Sequence, residues 1–342
     1  MLSKHSKNTL LLLALVLAAT AAVVCWQKLF GRQEPSSIPV ASGSPSVVSS
    51  ARSATPGTAP AKVDNADGEV TNRPTDGPWR LLRDLEFARV GTRVLHLDLY
   101  LPRDANTGTP LVVWIHGGGW RKGTKDACKM VFLVKEGFAV ASVEYRLAPE
   151  GVFPDPLYDC KAAVRFLRAN AAQYGLDPNA IGVAGASSGG HLAALVGMTG
   201  DDAKWDGASG PQGVSSRVQA VCDFFGPTDL TTVAGTKWDN PKGAVYHLLG
   251  GTVAEHMQTA RDASPIFHVA KGNPPFLILH GDSDQTVPLS ESQNLTRAMQ
   301  EQGVDVQLQI LPGAGHGRAA FSTPEIHQRV ARFFRESLKA PQ

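Results

Sequence analysis

The sequence contains few cysteines and has no excess of charge of either sign. Four cysteines stand among 342 residues, and no two of them form a C-x-x-C pair, so neither a zinc site nor a disulfide framework is indicated. The 33 basic and 31 acidic residues nearly balance, and without a dense basic cluster they argue against a nucleic-acid partner. A hydrophobic content of 43% is ordinary for a globular protein with a full core.

Aromatic residues are missing from Gly31–Pro78, which instead holds seven prolines, eight serines and five glycines. This composition cannot bury enough apolar surface to offset its ordering entropy, so residues 31–78 are predicted to be a disordered linker. Before it, Lys4 and Lys7 precede the 18-residue apolar run Thr9–Trp26. We expect residues 1–30 to be either a signal peptide, cleaved near Ala19-Thr20-Ala21, or an uncleaved membrane anchor. Either one places the rest of the chain outside the cytoplasm.

From Trp79 onward, apolar runs typical of strands alternate with helical periodicity. The predicted strands are Leu81–Val90, Arg93–Leu101, Leu111–Ile115, Phe138–Val143, Ile181–Ala184, Val218–Phe225, Pro275–Leu279 and Val304–Leu311. The predicted helices are Asp159–Tyr174, one that opens at His191, Ser290–Gln302 and Pro324–Leu338. This order predicts an α/β fold with a mainly parallel, doubly wound sheet and helices on both faces. Residues 79–342 are expected to form one domain, with a short insertion at about 227–274.

The stretch Gly185-Ala186-Ser187-Ser188-Gly189 lies between a predicted strand and a predicted helix. A G-x-S-x-G pattern in this context indicates a sharp elbow that exposes the central serine as a nucleophile. The two glycines let neighbouring backbone approach closely, and the N–H of Ser188 lies at a helix N-terminus, where it favours a developing oxyanion. Ser188 is the alternative nucleophile, but only Ser187 has glycine at both required offsets.

A nucleophilic serine needs a base and a group that orients the base. His316 is the candidate base, because glycines surround it in a loop after the last predicted strand. His191 and His280 are interpreted as a packing residue and as support for the acid loop. Asp284 is the candidate acid, and we expect it in the exposed part of its loop. Asp282 remains the alternative, although its position suits capping of the first turn.

The run His116-Gly117-Gly118-Gly119-Trp120 follows the predicted strand Leu111–Ile115. Three glycines there let backbone N–H groups face a substrate's carbonyl oxygen. A phosphate-binding role is set aside, because neither the Walker lysine nor the dinucleotide pattern is present. We therefore expect no cofactor and no metal.

The motifs together resemble the α/β-hydrolase family, in its esterase/lipase branch related to hormone-sensitive lipase and to BD-FAE-type feruloyl esterases. The stretches that carry the resemblance are DLYLP at 98–102, HGGGW at 116–120, YRLAPE at 145–150, GASSGGHLA at 185–193 and HGDSDQTVP at 280–288. It implies Ser187 as nucleophile, Asp284 as acid and His316 as base. It also implies that Gly118 and Gly119, with Ser188, supply the oxyanion N–H groups.

One departure shifts the resemblance within that branch. The hormone-sensitive-lipase elbow has Asp and Ala where this chain has Ala186 and Ser188, which favours the feruloyl- and xylan-esterase side. The function implied is a serine carboxylic-ester hydrolase that works through an acyl-enzyme, with acetylated or feruloylated carbohydrate as candidate substrates. An amide hydrolase with the same triad, of arylformamidase or peptidase type, is the alternative. A further alternative is a non-catalytic binding protein with the same fold.

Overall fold

The structure is a computed structural model that describes residues 79–338 except Asp104, Asn106, Asp201 and Arg318. The expected signal peptide or anchor at 1–30 and the expected linker at 31–78 lie outside these described residues. Within them, no helix combines the length and the apolar character that crossing a membrane requires.

Eight strands form a single sheet, and six of them pair in parallel. The strands are β1 (Trp79–Val90), β2 (Arg93–Pro102), β3 (Thr109–Ile115), β4 (Ala139–Val143), β5 (Leu176–Ala186), β6 (Ala220–Phe224), β7 (Phe276–Gly281) and β8 (Val306–Leu311). Their order across the sheet is β1-β2-β4-β3-β5-β6-β7-β8. β2 pairs antiparallel with both β1 and β4, and all pairs from β4 to β8 are parallel. The predicted sheet is confirmed.

Seven α-helices lie within the described residues. They are α1 (Asp155–Ala169), α2 (Ala171–Tyr174), α3 (Ser188–Met198), α4 (Ala244–Leu249), α5 (Met257–Asp262), α6 (Leu289–Glu301) and α7 (Pro324–Ser337). Side chains alternate between two apolar layers along each central strand, as strand geometry requires. On β5, Ile181 and Val183 pack into the layer that holds α1, α3 and α6, whereas Ala184 packs into the layer that holds α7.

The helix predicted over Asp159–Tyr174 differs from the observed structure. α1 begins at Asp155, because Pro156 is well accepted in a helical first turn, where its missing N–H has no partner to lose. The helix then breaks at Asn170 and a single further turn, α2, ends at Gly175 in the left-handed conformation, φ 71°. The predicted stop is confirmed, and the start is wrong by four residues.

The predicted insertion contains only short elements. Between β6 and β7 the chain forms α4, α5 and two 3₁₀ turns, Leu230–Val233 and Pro265–His268. These short elements bury Leu230, Leu248 and Val253 against the main core, so the segment packs on the sheet layer instead of forming a separate unit.

Candidate active site

The turn between β5 and α3 places Ser187 in a strained conformation. Its φ of 56° lies in the left-handed region that side chains with a Cβ rarely adopt. The backbone is held there because the N–H of Ser187 donates to the carbonyl of Phe224 at 2.8 Å. A Cβ on Gly185 would lie 2.1 Å from the carbonyl oxygen of Gly189, so only glycine fits where strand and helix cross. The predicted elbow is confirmed in its geometry.

A continuous chain of hydrogen bonds joins Ser187, His316 and Asp284. Ser187 Oγ lies 2.8 Å from Nε2 of His316, and Nδ1 of His316 lies 2.7 Å from Oδ2 of Asp284. The three residues come from loops after β5, β8 and β7, whose carboxyl ends meet at one edge of the parallel sheet. With Nδ1–H donated to the carboxylate, Nε2 is left to accept the serine proton.

Asp284 is buried, and its environment still favours the charged form. Burial alone would raise its pKa, but hydrogen bonds from His280 and His316 and from the N–H groups of Val287 and Thr286 oppose this effect. The net result holds the pKa of Asp284 well below its ordinary value. The carboxylate is therefore ionised at neutral pH and can stabilise a protonated His316.

The expectation that Asp284 lies in the exposed part of its loop is wrong. Asp284 is 8% exposed, whereas Asp282 is exposed. The choice of Asp284 over Asp282 nevertheless agrees with the geometry, because backbone donors claim only Oδ1 of Asp284 and leave Oδ2 for His316. Asp282 instead accepts the N–H of Gly313 at 2.7 Å and so links the acid loop to the loop that carries His316.

The glycine loop after β3 lies beside the elbow. Gly118 has φ 133°, and a Cβ there would lie 2.0 Å from the carbonyl oxygen of Lys122, so no other residue fits. Gly118, Gly119 and Ser188 line the same cavity as Ser187. Among the described residues, no acceptor takes the N–H of Gly118 or Gly119. Ser188 is the first residue of α3, so its N–H also lacks an intrahelical acceptor. Their service as oxyanion donors stays a prediction.

The imidazoles of the other two histidines considered from the sequence bond to other groups and not to the hydroxyl of Ser187. His280 is buried, with Nδ1 2.7 Å from Ser292 Oγ and Nε2 2.9 Å from the carbonyl of Val287, so it supports the acid loop as expected. His191 is also fully buried and bonds to Trp120 and to the carbonyl of Ala263. It acts in packing, in agreement with the sequence interpretation.

The sequence did not indicate a role at the site for two neighbouring residues, Phe225 and Tyr145. The ring of Phe225 lies 4.7 Å from the ring of His316, edge to face, and supports the base from one side. Tyr145 donates its hydroxyl to the carbonyl of His116 at 3.0 Å and stacks on that imidazole, which steadies the start of the glycine loop. Phe225 has φ 47°, a conformation that no local signal in an aromatic residue predicts.

A cavity of about 1200 Å³ opens over the hydrogen-bonded chain. Its walls come from the glycine loop, the elbow, the 285–288 loop, Phe225 and residues 227–245 of the insertion. Apolar side chains, among them Leu230, Val233, Trp238 and Val245, dominate the insertion wall. In the part of the chain that the structure describes, no three His, Cys, Asp or Glu side chains group closely enough to hold a metal ion. The arrangement suits nucleophilic attack on a carbonyl in a mostly apolar cleft.

Known proteins are similar to this chain in sequence along most of the domain. "Probable carboxylic ester hydrolase LipM" of Mycobacterium tuberculosis is 31% identical over 287 residues, which is 76% of this chain and 65% of that protein. "Esterase LipC" of the same organism is 32% identical over 65% of this chain and 56% of its own length. The chain thus spans less than two thirds of the length of these relatives.

Solved structures agree with the sequence relatives. A "truncated form of carbohydrate esterase from gut microbiota" superposes with a TM-score of 0.70 at 30% identity, over 77% of this chain and 98% of that one. The BD-FAE family model matches residues 97–299, which is more than half of the chain. The motifs and the superposed fold agree with this match. The chain therefore belongs to the BD-FAE family of α/β-hydrolase esterases.

Proposed function

We propose that this protein is a serine carboxylic-ester hydrolase that acts through an acyl-enzyme. The observation that carries the proposal is the 2.8 Å contact between Ser187 Oγ and His316 Nε2, with Asp284 bound to the other ring nitrogen. Acyl transfer needs a nucleophile, a base and an acid that orients the base, all within hydrogen-bond distance. The three residues meet this requirement, and Ser187 and His316 line a cavity.

In the first half of the reaction, His316 takes the proton of Ser187 as Oγ attacks the ester carbonyl. The N–H groups of Gly118, Gly119 and Ser188 stabilise the oxyanion of the tetrahedral intermediate. His316 then returns the proton to the leaving alcohol, and the acyl group remains on Ser187. The ionised carboxylate of Asp284 stabilises the imidazolium throughout.

In the second half, a water molecule replaces the alcohol. His316 accepts a proton from that water, the hydroxide attacks the acyl-enzyme, and the same donors stabilise the second intermediate. The serine proton is restored from His316, and the carboxylic acid leaves.

Acylated carbohydrate is the substrate class that we propose, with acetyl or feruloyl as the acyl group. The support comes from neighbours described in their own names as a carbohydrate esterase and an acetyl ester-xyloside hydrolase, and from the size of the cavity, about 1200 Å³. A cavity of this volume is large enough to hold sugar units beside a short acyl group.

The test is turnover of 4-nitrophenyl acetate by the purified full chain, before and after treatment with a serine-reactive phosphonate. We expect inactivation, with fragmentation of the labelled peptide placing the added mass on Ser187 and not on Ser188. Ser187→Ala should lose about 10⁴-fold or more in kcat, because the triad acts as a unit. Ser188→Ala, which keeps its backbone N–H, should lose far less. Modification of Ser188, or an active Ser187→Ala variant, would overturn the proposal.

A panel of substrates separates the alternatives. Acetylated and feruloylated sugars test the carbohydrate assignment, and matched anilides test the amide-hydrolase alternative. Faster cleavage of anilides than of the corresponding esters would replace the esterase assignment by the amidase one.

We further propose that the protein works outside the cytoplasm. The support is sequence alone: Lys4 and Lys7 precede the apolar run Thr9–Trp26, the order expected of an exported chain. Cell fractionation with an antibody to the domain tests this, and recovery in the cytoplasmic fraction would contradict it.

A further inference from the structure

Four cationic side chains lie on the wall of the active-site cavity. Arg121 and Lys122 directly follow the glycine loop, and Lys237 and Lys242 come from the insertion. All four residues are exposed. Among the residues that the structure describes, none of the four forms an ion pair with a carboxylate. We call these four residues the cationic rim.

Two acidic residues also line the cavity, and both are occupied by neighbouring backbone. Oδ1 of Asp229 accepts the N–H of Thr231 at 3.0 Å and so caps the 3₁₀ turn. Oε2 of Glu291 accepts the N–H groups of Thr228 and Asp229, both at 2.8 Å. Among the described residues, neither carboxylate forms an ion pair with the cationic rim, so its charge is not neutralised by direct pairing.

A hydrogen bond connects the two halves of the cationic rim. Nη1 of Arg121 donates to the carbonyl of Lys242 at 2.9 Å, which joins the segment after the glycine loop to the insertion. The ammonium of Lys237 lies 5.0 Å from the ring centroid of Trp238, another cavity residue. The four charges therefore belong to one surface beside Ser187.

This concentration does not follow from the composition of the chain. The whole sequence carries a net charge of +2, from 33 basic and 31 acidic residues. The cavity alone has four basic residues against two acidic ones, on a mostly apolar lining. Like charges in a cleft with low-dielectric walls focus the field and attract an oppositely charged ligand.

We propose that the cationic rim binds a carboxylate on the substrate, and that the substrates are esters of acidic sugars, O-acylated uronic acid units. The inference rests on the proposed function, because it assigns a substrate class to the same serine esterase site. The cationic rim could equally bind a carboxylate on the acyl group, as in a half-ester of a dicarboxylic acid. The first experiment distinguishes this substrate from an acylated uronic acid.

The first experiment compares kcat/KM for O-acetylated oligogalacturonate and for an O-acetylated neutral oligosaccharide of matched length. At low ionic strength we expect about a 10-fold preference for the acidic substrate, which falls toward unity at about 0.5 M NaCl as charges are screened. 4-Nitrophenyl hemisuccinate against 4-nitrophenyl butyrate tests the acyl side. A preference confined to the hemisuccinate would overturn the uronate assignment.

The second experiment removes rim charges and uses matched controls. The double variant Lys237→Gln with Lys242→Gln should lower the ratio of kcat/KM for the acidic substrate to that for the neutral one about 5-fold. This effect is small because exposed ion pairs contribute little free energy. The control pair Lys129→Gln with Lys271→Gln removes the same charge at exposed positions outside the cavity, and should change the ratio less than 2-fold. An equal fall in both pairs would show a general charge effect and overturn the proposal.

A binding measurement tests the affinity for acidic sugars independently of ester turnover. The Ser187→Ala variant, titrated calorimetrically, should bind unacetylated trigalacturonate more tightly than a neutral trisaccharide, and the rim substitutions should remove the difference. Turnover of 4-nitrophenyl acetate without any preference for acidic sugars would overturn this inference alone. Failure to cleave any ester would overturn the proposed function.

Discussion

The indole Nε1 of Trp120 donates a hydrogen bond to Nδ1 of His191 at 3.2 Å, and both residues are buried. The other imidazole nitrogen, Nε2, lies 2.6 Å from the carbonyl of Ala263 and donates to it. Burial lowers the pKa of His191 to about 4, so the ring is neutral near pH 7 and Nδ1 can accept. The bond joins the glycine loop to the helix that follows Ser187.

Replacement of Trp120 by Phe should therefore reduce activity as well as stability. The change leaves a buried acceptor on His191 without a partner, which costs about 1–3 kcal/mol. It also loosens the loop that holds Gly118 and Gly119, and we expect kcat for a 4-nitrophenyl ester to fall about 10-fold with little change in KM.

Trp114→Phe is the matched control for this prediction. Trp114 donates its indole N–H to the carbonyl of Ala127 at 3.2 Å, away from the cavity. We expect a comparable loss in the free energy of unfolding and less than a twofold change in kcat. Equal losses of kcat in the two variants would show that Trp120 has only a packing role.

Asp284→Asn should lower kcat about 10³–10⁴-fold while the domain stays folded. The asparagine oxygen can still accept the N–H groups of Thr286 and Val287, so the loop is retained. The amide NH₂ would then face Nδ1 of His316 and favour the tautomer that cannot accept a proton from Ser187. Steady-state kinetics and circular dichroism together check both parts.

Asp282→Ala provides the comparison for the acid loop. It removes the acceptor of the Gly313 N–H, and we expect a loss of about 1 kcal/mol in the free energy of unfolding. Because Asp282 is exposed and does not touch His316, kcat should change only a few-fold. Exchanged phenotypes between Asp282 and Asp284 variants would reverse the assignment of the acid.

Asp223 should make stability depend on pH. Its side chain is fully buried below the elbow, Oδ1 accepts the N–H of Gly226 at 2.9 Å, and Oδ2 has no partner among the described residues. Burial raises its pKa to about 6, although the Gly226 N–H opposes the effect. A raised pKa means that the neutral form stabilises the fold below about pH 3.8 and that this contribution is lost as pH rises through 6.

The measurement is urea unfolding of the wild type and Asp223→Asn at pH 4 and pH 7. The difference between 3.8 and about 6 corresponds to about 3 kcal/mol. Asparagine imitates the neutral carboxyl, so the wild type should lose on the order of 3 kcal/mol relative to the variant between these pH values. Parallel pH profiles in the two proteins would show that folding does not raise the pKa of Asp223.

Removal of residues 1–78 should leave a soluble, active domain. β1 begins at Trp79, and residues 31–78 contain no aromatic residue and many prolines, serines and glycines, a composition that is not expected to add to a core. A second deletion, of residues 1–90, also removes β1 with the buried Leu81, Leu82 and Phe87, and should be insoluble. An inactive or insoluble 79–342 protein would show that the preceding segment contributes to the fold. Expression yield and ester turnover measure both outcomes.

The strands were predictable because a buried parallel strand consists of continuous apolar residues. Leu111–Ile115 is apolar throughout, and the observed β3 adds only Thr109 and Pro110. The start of α1 was missed although Pro156 and Leu157 are buried in its first turn, because a proline in the sequence is as typical of a break in a helix as of its start. Boundaries depend on where caps and packing end, and these are weaker signals than the strand core.

The candidate site was predictable where chemistry demands a local pattern. The elbow around Ser187 needs glycines at fixed offsets, and Gly185 does meet the backbone of Gly189 in the structure. We preferred Asp284 to Asp282 on the assumption that the catalytic acid is exposed, but the carboxylate of Asp284 is buried. Its two oxygens divide their partners, with backbone on Oδ1 and His316 on Oδ2, and this division depends on how the loop folds.

The sequence by itself determined the order of the eight strands and the four longer helices along the chain, the strained turn at Ser187 and the residue types that acyl transfer requires. These features depend on neighbours within a few positions, so local steric and apolar patterns are sufficient. Only the tertiary structure decided that Trp120 bonds to His191, that Phe225 packs on His316, and that the cationic rim lines one cavity. Those contacts join residues far apart in the chain, and the packing of the sheet and its loops sets their distances.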